Sequence, residues 1–231
     1  MILVNGDSFT FGDGLATNEK PWPDLIFFNQ CVNIAESGSS NSNIFRRTLE
    51  EIYLNQYTTV IVAWSGLYRF EWADNYGKAK TFLLTGSRNT SSSIIIKELV
   101  TNWHSEFWYF KQFLLTVSNL KLHCDHLGIR FCCLNSSQDV ANCYSTTYSN
   151  YLDFWKTINL ELYPDKEIKR EFDFLSKLMQ ETADCWIIPS TMSMVDFYGE
   201  NIISTVDKHP NQLGHQLIAN KLASVVKSIL G

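Results

Sequence analysis

The chain opens MILVNGDSFTFG, residues 1–12. Three apolar residues run directly into the small polar turn Asn5-Gly6-Asp7-Ser8. A short apolar run without polar alternation reads as a strand buried on both faces, here over residues 1–5. Gly6 permits a sharp change of direction at its end. Ser8 therefore stands just past the carboxyl end of the first strand. Two roles suit it there. Ser8 or Thr10 caps a short helix, or the turn presents a nucleophile.

Further along, four more apolar runs repeat the pattern: CVNIA at 31–35, TTVIVAWSG at 58–66, IRFCCLN at 129–135 and CWIIP at 185–189. The run at 58–66 is rich in β-branched residues, and Pro189 ends the last. Between them lie stretches with helical spacing of apolar residues: 41–55, 102–126, 166–184 and 211–230. Gly128 follows the second of these as a stop signal. Strands alternating with helices predict an α/β fold around a five-stranded parallel sheet with right-handed crossovers. Residues 67–101 and 138–165 exceed a minimal unit and read as two insertions in one domain spanning 1–231. The polar patch GSRNTSSS at 86–93 reads as a surface loop.

Composition narrows the function. Of 231 residues, 45% are hydrophobic and only 19% charged, which is a globular balance. The formal net charge is −5. Nucleic-acid binders need a basic excess against phosphate, so that class is set low. No apolar run is long enough to span a bilayer. Met1 begins the first predicted strand, with no charged start or cleavage site ahead of it, so a secretion signal is either not needed or already removed. Six cysteines without CxxC spacing read as reduced, mostly buried thiols of a cytoplasmic protein. HCDH at 123–126 holds ligand-type side chains, but one helical turn rarely completes a metal site, so neither metal nor cofactor is expected.

Two further stretches carry chemistry. In VDKHPNQLGH, residues 206–215, Asp207 and His209 flank a single residue. In extended chain, residues two apart point to one side, so the carboxylate can orient the imidazole. Asn211 then caps the last helix, and His215 on its first turn reads as structural. In ESGSSNSN, residues 36–43, Gly38 sits in a small-residue turn before a helix, where free backbone N–H groups can bind an oxyanion. Each of these also fits an ordinary strand-to-helix connection.

Together and in this order, GDSFTFG, ESGSSNSN and DKHPNQLGH resemble the SGNH, or GDSL-like, hydrolases across nearly the whole chain. The resemblance implies a three-layer α/β/α, flavodoxin-like sandwich. It implies Ser8 as nucleophile, His209 as general base, Asp207 as its orienting partner, and the Ser8 and Gly38 amides as oxyanion donors. Asp7 would support the turn. The substrate would be a small-molecule or glycan ester, for example an O-acetyl group, cleaved through an acyl-enzyme. One element departs. The family's Gly-x-Asn after the third strand is replaced by WSGLYRFEW at 64–72, which lacks Asn. Losing such a donor costs about 2.7–4 kcal/mol of transition-state stabilisation. Asn41, Asn43 or Ser65 would have to replace it, Asn41 foremost because it follows Gly38 in the same turn. Otherwise the enzyme is slow, or the chain is no enzyme. The Asp–His spacing is two, where the family often has three. Arg69 and Glu71 either line the mouth of the site or form a solvated pair.

The phrases GDSFT and GSSN also resemble SGNH-like proteins encoded by tailed phages and some marine bacteria. That likeness implies a second reading, a binding or structural protein of weak or no activity within a larger assembly. A third is a thioesterase or lipid esterase, with the aromatic-rich insertions shaping an acyl pocket. Oligomeric state is left open.

Overall fold

The computed structural model describes residues 1–28, 30–67, 69–73, 79–83, 106–145, 165–205 and 207–230. In chain order these form β1 (Ile2–Asn5), α1 (Ser8–Phe11), α2 (Trp22–Phe27), β2 (Cys31–Asn33), α3 (Asn41–Leu54), β3 (Thr59–Trp64), β4 (Arg69–Ala73), β5 (Ala79–Leu83), α4 (Glu106–His126), β6 (Arg130–Asn135), α5 (Gln138–Ser145), α6 (Asp165–Glu181), α7 (Val195–Tyr198) and α8 (Gln212–Leu230). The central sheet has the order β2-β1-β3-β6, and every pairing is parallel. All four strands therefore end on one edge, at Asn33, Asn5, Trp64 and Asn135.

Side chains alternate across the sheet because the strand period is two. Leu3, Val60, Val62, Trp64 and Cys133 face a core closed by α3, α4, α5 and α6 through Ile44, Phe113, Val140 and Leu175. Ile2, Val4, Ile61, Ala63 and Leu134 face a second core, closed by α2, α7 and α8 through Trp22, Tyr198 and Leu222. Helices on both faces of a parallel sheet make three layers, as expected. Trp64 is wholly buried in the first core, where its edge meets Phe113 with 5.8 Å between ring centroids.

The fifth expected strand does not form as a ladder. Residues Ala183–Cys185 make a 3-10 turn, and only Trp186 and Ser193 bridge to β6, singly and in parallel, at Cys133 and Asn135. The chain between them leaves the sheet through a turn closed by Met192 N–H on Pro189 O at 2.8 Å. Pro189 has no N–H to give to a ladder. The run at 185–189 thus lies beside β6 in a fifth position, while among the described residues the continuous sheet has four strands. The preceding helix stops at Glu181, three residues short of the expected end, where the chain tightens into the 3-10 turn Ala183–Cys185.

The first insertion opens with the antiparallel hairpin β4–β5, and the second with α5. The patch at 86–93 and the rest of the second insertion, residues 146–164, lie outside the described residues, as do residues 102–105 at the start of the helix expected over 102–126. Cys124, Cys132, Cys133 and Cys185 are buried free thiols, Cys143 is buried and Cys31 is half-buried. Burial pushes the Cys132 thiol up to about 11, which keeps it protonated at neutral pH.

Candidate active site

The turn after β1 is built tightly. Asn5 is buried, and its side-chain amide donates to Ile44 O at 3.0 Å and to the Thr48 hydroxyl at 2.9 Å, tying the end of β1 to α3. Its Oδ1 accepts Gly6 N–H at 2.8 Å. A Cβ on Gly6 would stand 2.5 Å from Thr10 Oγ1 and 3.0 Å from Ala63 O. Glycine is therefore required by space. The chain then turns into α1, whose cap is Asp7: Oδ1 accepts Phe9 N–H at 3.2 Å.

Asp7 does more than cap. Its other oxygen, Oδ2, accepts the hydroxyls of Ser65 and Ser136, each at 2.9 Å, and lies 3.6 Å from Arg69 Nη1. Those residues follow β3 and β6, so one carboxylate fastens the ends of three strands. Asp7 is 1% exposed. Burial raises its pKa, against the opposing pull of Arg69, the two hydroxyls and the Phe9 amide. Arg69 Nη1 also donates to Ser39 O at 3.3 Å. Of the two readings open for Arg69 and Glu71, the solvated pair does not form: Glu71 pairs with Arg46 at 3.2 Å. Sequence reading missed Ser136 and the destination of Arg69, since neither has a local spacing signal to Asp7.

Ser8 is the first residue of α1 and is 2% exposed. Among the described residues its hydroxyl has no hydrogen-bond partner. An unpaired buried hydroxyl is costly, so such a group calls for an explanation. The Ser8 and Gly38 N–H groups likewise make no hydrogen bond among the described residues. Gly38 holds φ +74° in a turn before α3, a left-handed conformation that favours glycine.

Asp207 and His209 come together as their spacing predicts. His209 Nδ1 is 2.5 Å from Asp207 Oδ1, and His209 backbone N–H donates to the same oxygen at 3.1 Å. These bonds hold the Asp207 carboxyl below the usual carboxylate range. The segment is anchored by Ile203 N–H on His209 O at 2.9 Å. Asn211 caps α8 through Gly214 N–H at 3.0 Å, as expected. The His209 ring lies against Phe9, the residue after Ser8, with centroids 5.2 Å apart. The Ser8 hydroxyl makes no direct hydrogen bond to the Asp207–His209 pair.

Asn41 is placed differently from expectation. Its Nδ2 donates to Ser65 O at 3.0 Å and approaches Gly66 O at 3.5 Å, while its Oδ1 accepts Ser65 N–H at 2.8 Å. The side chain satisfies the backbone leaving β3 and so is not free to serve an oxyanion. His215 is wholly buried, with Nδ1 accepting Trp22 N–H at 3.2 Å and joining α8 to α2. His123, from the HCDH stretch, shares a hydrogen bond with the Tyr53 hydroxyl at 2.8 Å. No group of three metal-ligating side chains occurs among the described residues. Nor is any helix among them long and apolar enough to cross a membrane.

No family model matches the chain, and no curated protein matches it in sequence. Its three-dimensional relatives are clear. A structure assigned to the G-D-S-L family of lipolytic proteins, from Desulfitobacterium hafniense DCB-2, is 13% identical, with 97% of this chain and 98% of that one covered and a TM-score of 0.51. The protein TesA is 12% identical over 99% of this chain and 98% of its own, with a TM-score of 0.54. The psychrotrophic esterase EstA from Pseudoalteromonas sp., inhibited by monoethylphosphonate, is 13% identical over 99% and 97%, with a TM-score of 0.51. With its parallel sheet, two helical layers and near-complete coverage, the chain has the fold of the GDSL-type, or SGNH, hydrolases.

Proposed function

We propose that the protein is a serine esterase that cleaves a carboxylic ester through an acyl-enzyme. The observation that carries this reading is the buried, unpartnered Ser8 hydroxyl one residue from the ring on which the Asp207–His209 pair rests. A serine hydroxyl is a weak nucleophile until a base takes its proton. Asp207 fixes a proton on His209 Nδ1, which leaves Nε2 as the acceptor.

Ser8 Oγ bonds to the ester carbon as its proton passes to His209. The carbonyl π pair moves onto oxygen, and the Ser8 and Gly38 N–H groups stabilise that charge. Collapse breaks the bond to the alcohol, which leaves with the proton from His209. Water, activated by the same imidazole, then releases the acid. The start of α1 adds the positive end of a short run of peptide dipoles. The depth of Ser8 suits a small acyl group, such as an O-acetyl on a small molecule or glycan. The lipolytic and esterase names of two structural relatives fit the same reaction class.

The test is hydrolysis of p-nitrophenyl acetate by the wild-type protein beside Ser8→Ala. The expected result is a fall of at least a thousandfold in kcat for the variant, about the scale lost with a triad member. Equal rates would remove Ser8 from the reaction. Comparing acetyl with long-acyl esters separates the small-ester reading from a lipid esterase or thioesterase.

A further inference from the structure

An oxyanion hole with two amide donors lacks a third, and the side chains that could be expected to supply it are engaged elsewhere. Asn41 Nδ2 donates to Ser65 O. Asn43 Nδ2 donates to Ser39 Oγ at 3.0 Å and Glu36 Oε2 at 3.2 Å. The Ser65 hydroxyl donates to Asp7. Arg69 remains. Its Nη1 stands 3.6 Å from the carboxylate of the residue before Ser8 and 3.3 Å from the carbonyl of the residue after Gly38. The guanidinium therefore bridges the two turns whose N–H groups would hold the oxyanion.

We propose that Arg69 is the third oxyanion donor, a catalytic residue that meets the reacting carbonyl oxygen together with the Ser8 and Gly38 N–H groups. The proposal rests on the reading of Ser8 as nucleophile. A guanidinium has five N–H donors and stays charged throughout. Both contacts use Nη1, and among the described residues Nε and Nη2 make no hydrogen bond or ion pair. The side chain is 20% exposed, enough for substrate to reach and sufficiently withdrawn from water for its charge to act strongly. Asp7, fixed by two serine hydroxyls, holds the guanidinium in place in advance. Preorganised donors of this kind need no rearrangement as charge develops.

The competing role is purely structural, with Arg69 serving only to neutralise buried Asp7. Four proteins separate the two roles: wild type, Arg69→Met, Asp7→Asn and the double variant, with Ser8→Ala as the blank and p-nitrophenyl acetate as substrate. A donor role predicts that Arg69→Met lowers kcat by about a hundredfold or more, with KM changed less than about threefold. It also predicts a similar drop when Arg69→Met is added to Asp7→Asn, where no buried carboxylate needs a counter-ion. Should Arg69→Met fail to fold, the double variant and Arg69→Lys carry the comparison. Equal kcat for Asp7→Asn and the double variant would overturn the proposal and leave Ser8 as nucleophile. A wild type no faster than Ser8→Ala would overturn the esterase reading and the proposal with it.

Discussion

His209 Nδ1 lies 2.5 Å from Asp207 Oδ1, two residues earlier in the chain, and the same oxygen accepts the His209 backbone N–H. Both bonds need an acceptor, and a carboxylate is acceptor-only when ionised. Asn in place of Asp207 could turn its NH₂ toward Nδ1 and force the ring proton onto Nε2, where it would block general-base action. Asp207→Asn should therefore lower kcat about 10²–10⁴-fold with little change in KM. Steady-state hydrolysis of p-nitrophenyl acetate measures it, and a loss below about threefold would reduce Asp207 to a backbone anchor.

Ser136→Ala tests the lock at Asp7, the residue before Ser8. The Ser136 hydroxyl reaches Asp7 Oδ2 at 2.9 Å inside the protein. A hydrogen bond to a buried charge contributes about 1.5–3 kcal/mol, and its loss leaves the carboxylate less satisfied. Urea unfolding should show that drop. It should also shrink markedly when Ser136→Ala is made in an Asp7→Asn background, because a neutral amide needs the hydroxyl less. An undiminished drop would mean that Ser136 acts through Trp64 O, which it also reaches at 2.8 Å.

What the sequence could reveal followed from how local each signal was. Residues 2–5, 59–64 and 130–135 became strands because continuous apolar runs demand burial on both faces. Asp207 and His209 met because extended chain brings residues two apart to one side. The fifth run misled because apolarity alone does not guarantee a ladder: Pro189 and the turn after it break the pairing that Trp186 begins. Asn41 misled for a different reason. Its nearness to Gly38 was legible, but the demand of the Ser65 backbone for both halves of its amide was not. The Asp7 lock joins residues 7, 65, 69 and 136, and only the parallel sheet brings those positions together.

Gly6→Ala probes the turn by space alone. The new Cβ would press on Thr10 Oγ1 at 2.5 Å and on the Ala63 carbonyl at 3.0 Å. Thr10 can be trimmed, but the strand carbonyl cannot move without disturbing β3. The expected cost is about 1–3 kcal/mol in thermal or urea unfolding, only partly recovered by adding Thr10→Ala. Full recovery would show that Ala63 yields and that the turn is softer than its contacts suggest.

His215 sets the acid response of stability. It is wholly buried, and burial, with a smaller push from His209, lowers its pKa from 6.5 to about 4. The unfolded chain therefore takes up a proton below pH 6.5 while the folded one does not. Stability is unaffected by this group above that pH. It falls as pH drops, by about 2 kcal/mol at pH 5 and about 3 kcal/mol at pH 4. Asp7, with its raised pKa, acts in the opposite sense, because the folded state there binds the extra proton. His215→Asn separates the two, since its Oδ1 can still accept Trp22 N–H but does not titrate. Unfolding free energies at pH 7.5 and 5 should differ by about 2 kcal/mol more in the wild type than in the variant. A parallel fall in both proteins would place the acid sensitivity elsewhere and leave His215 as packing alone.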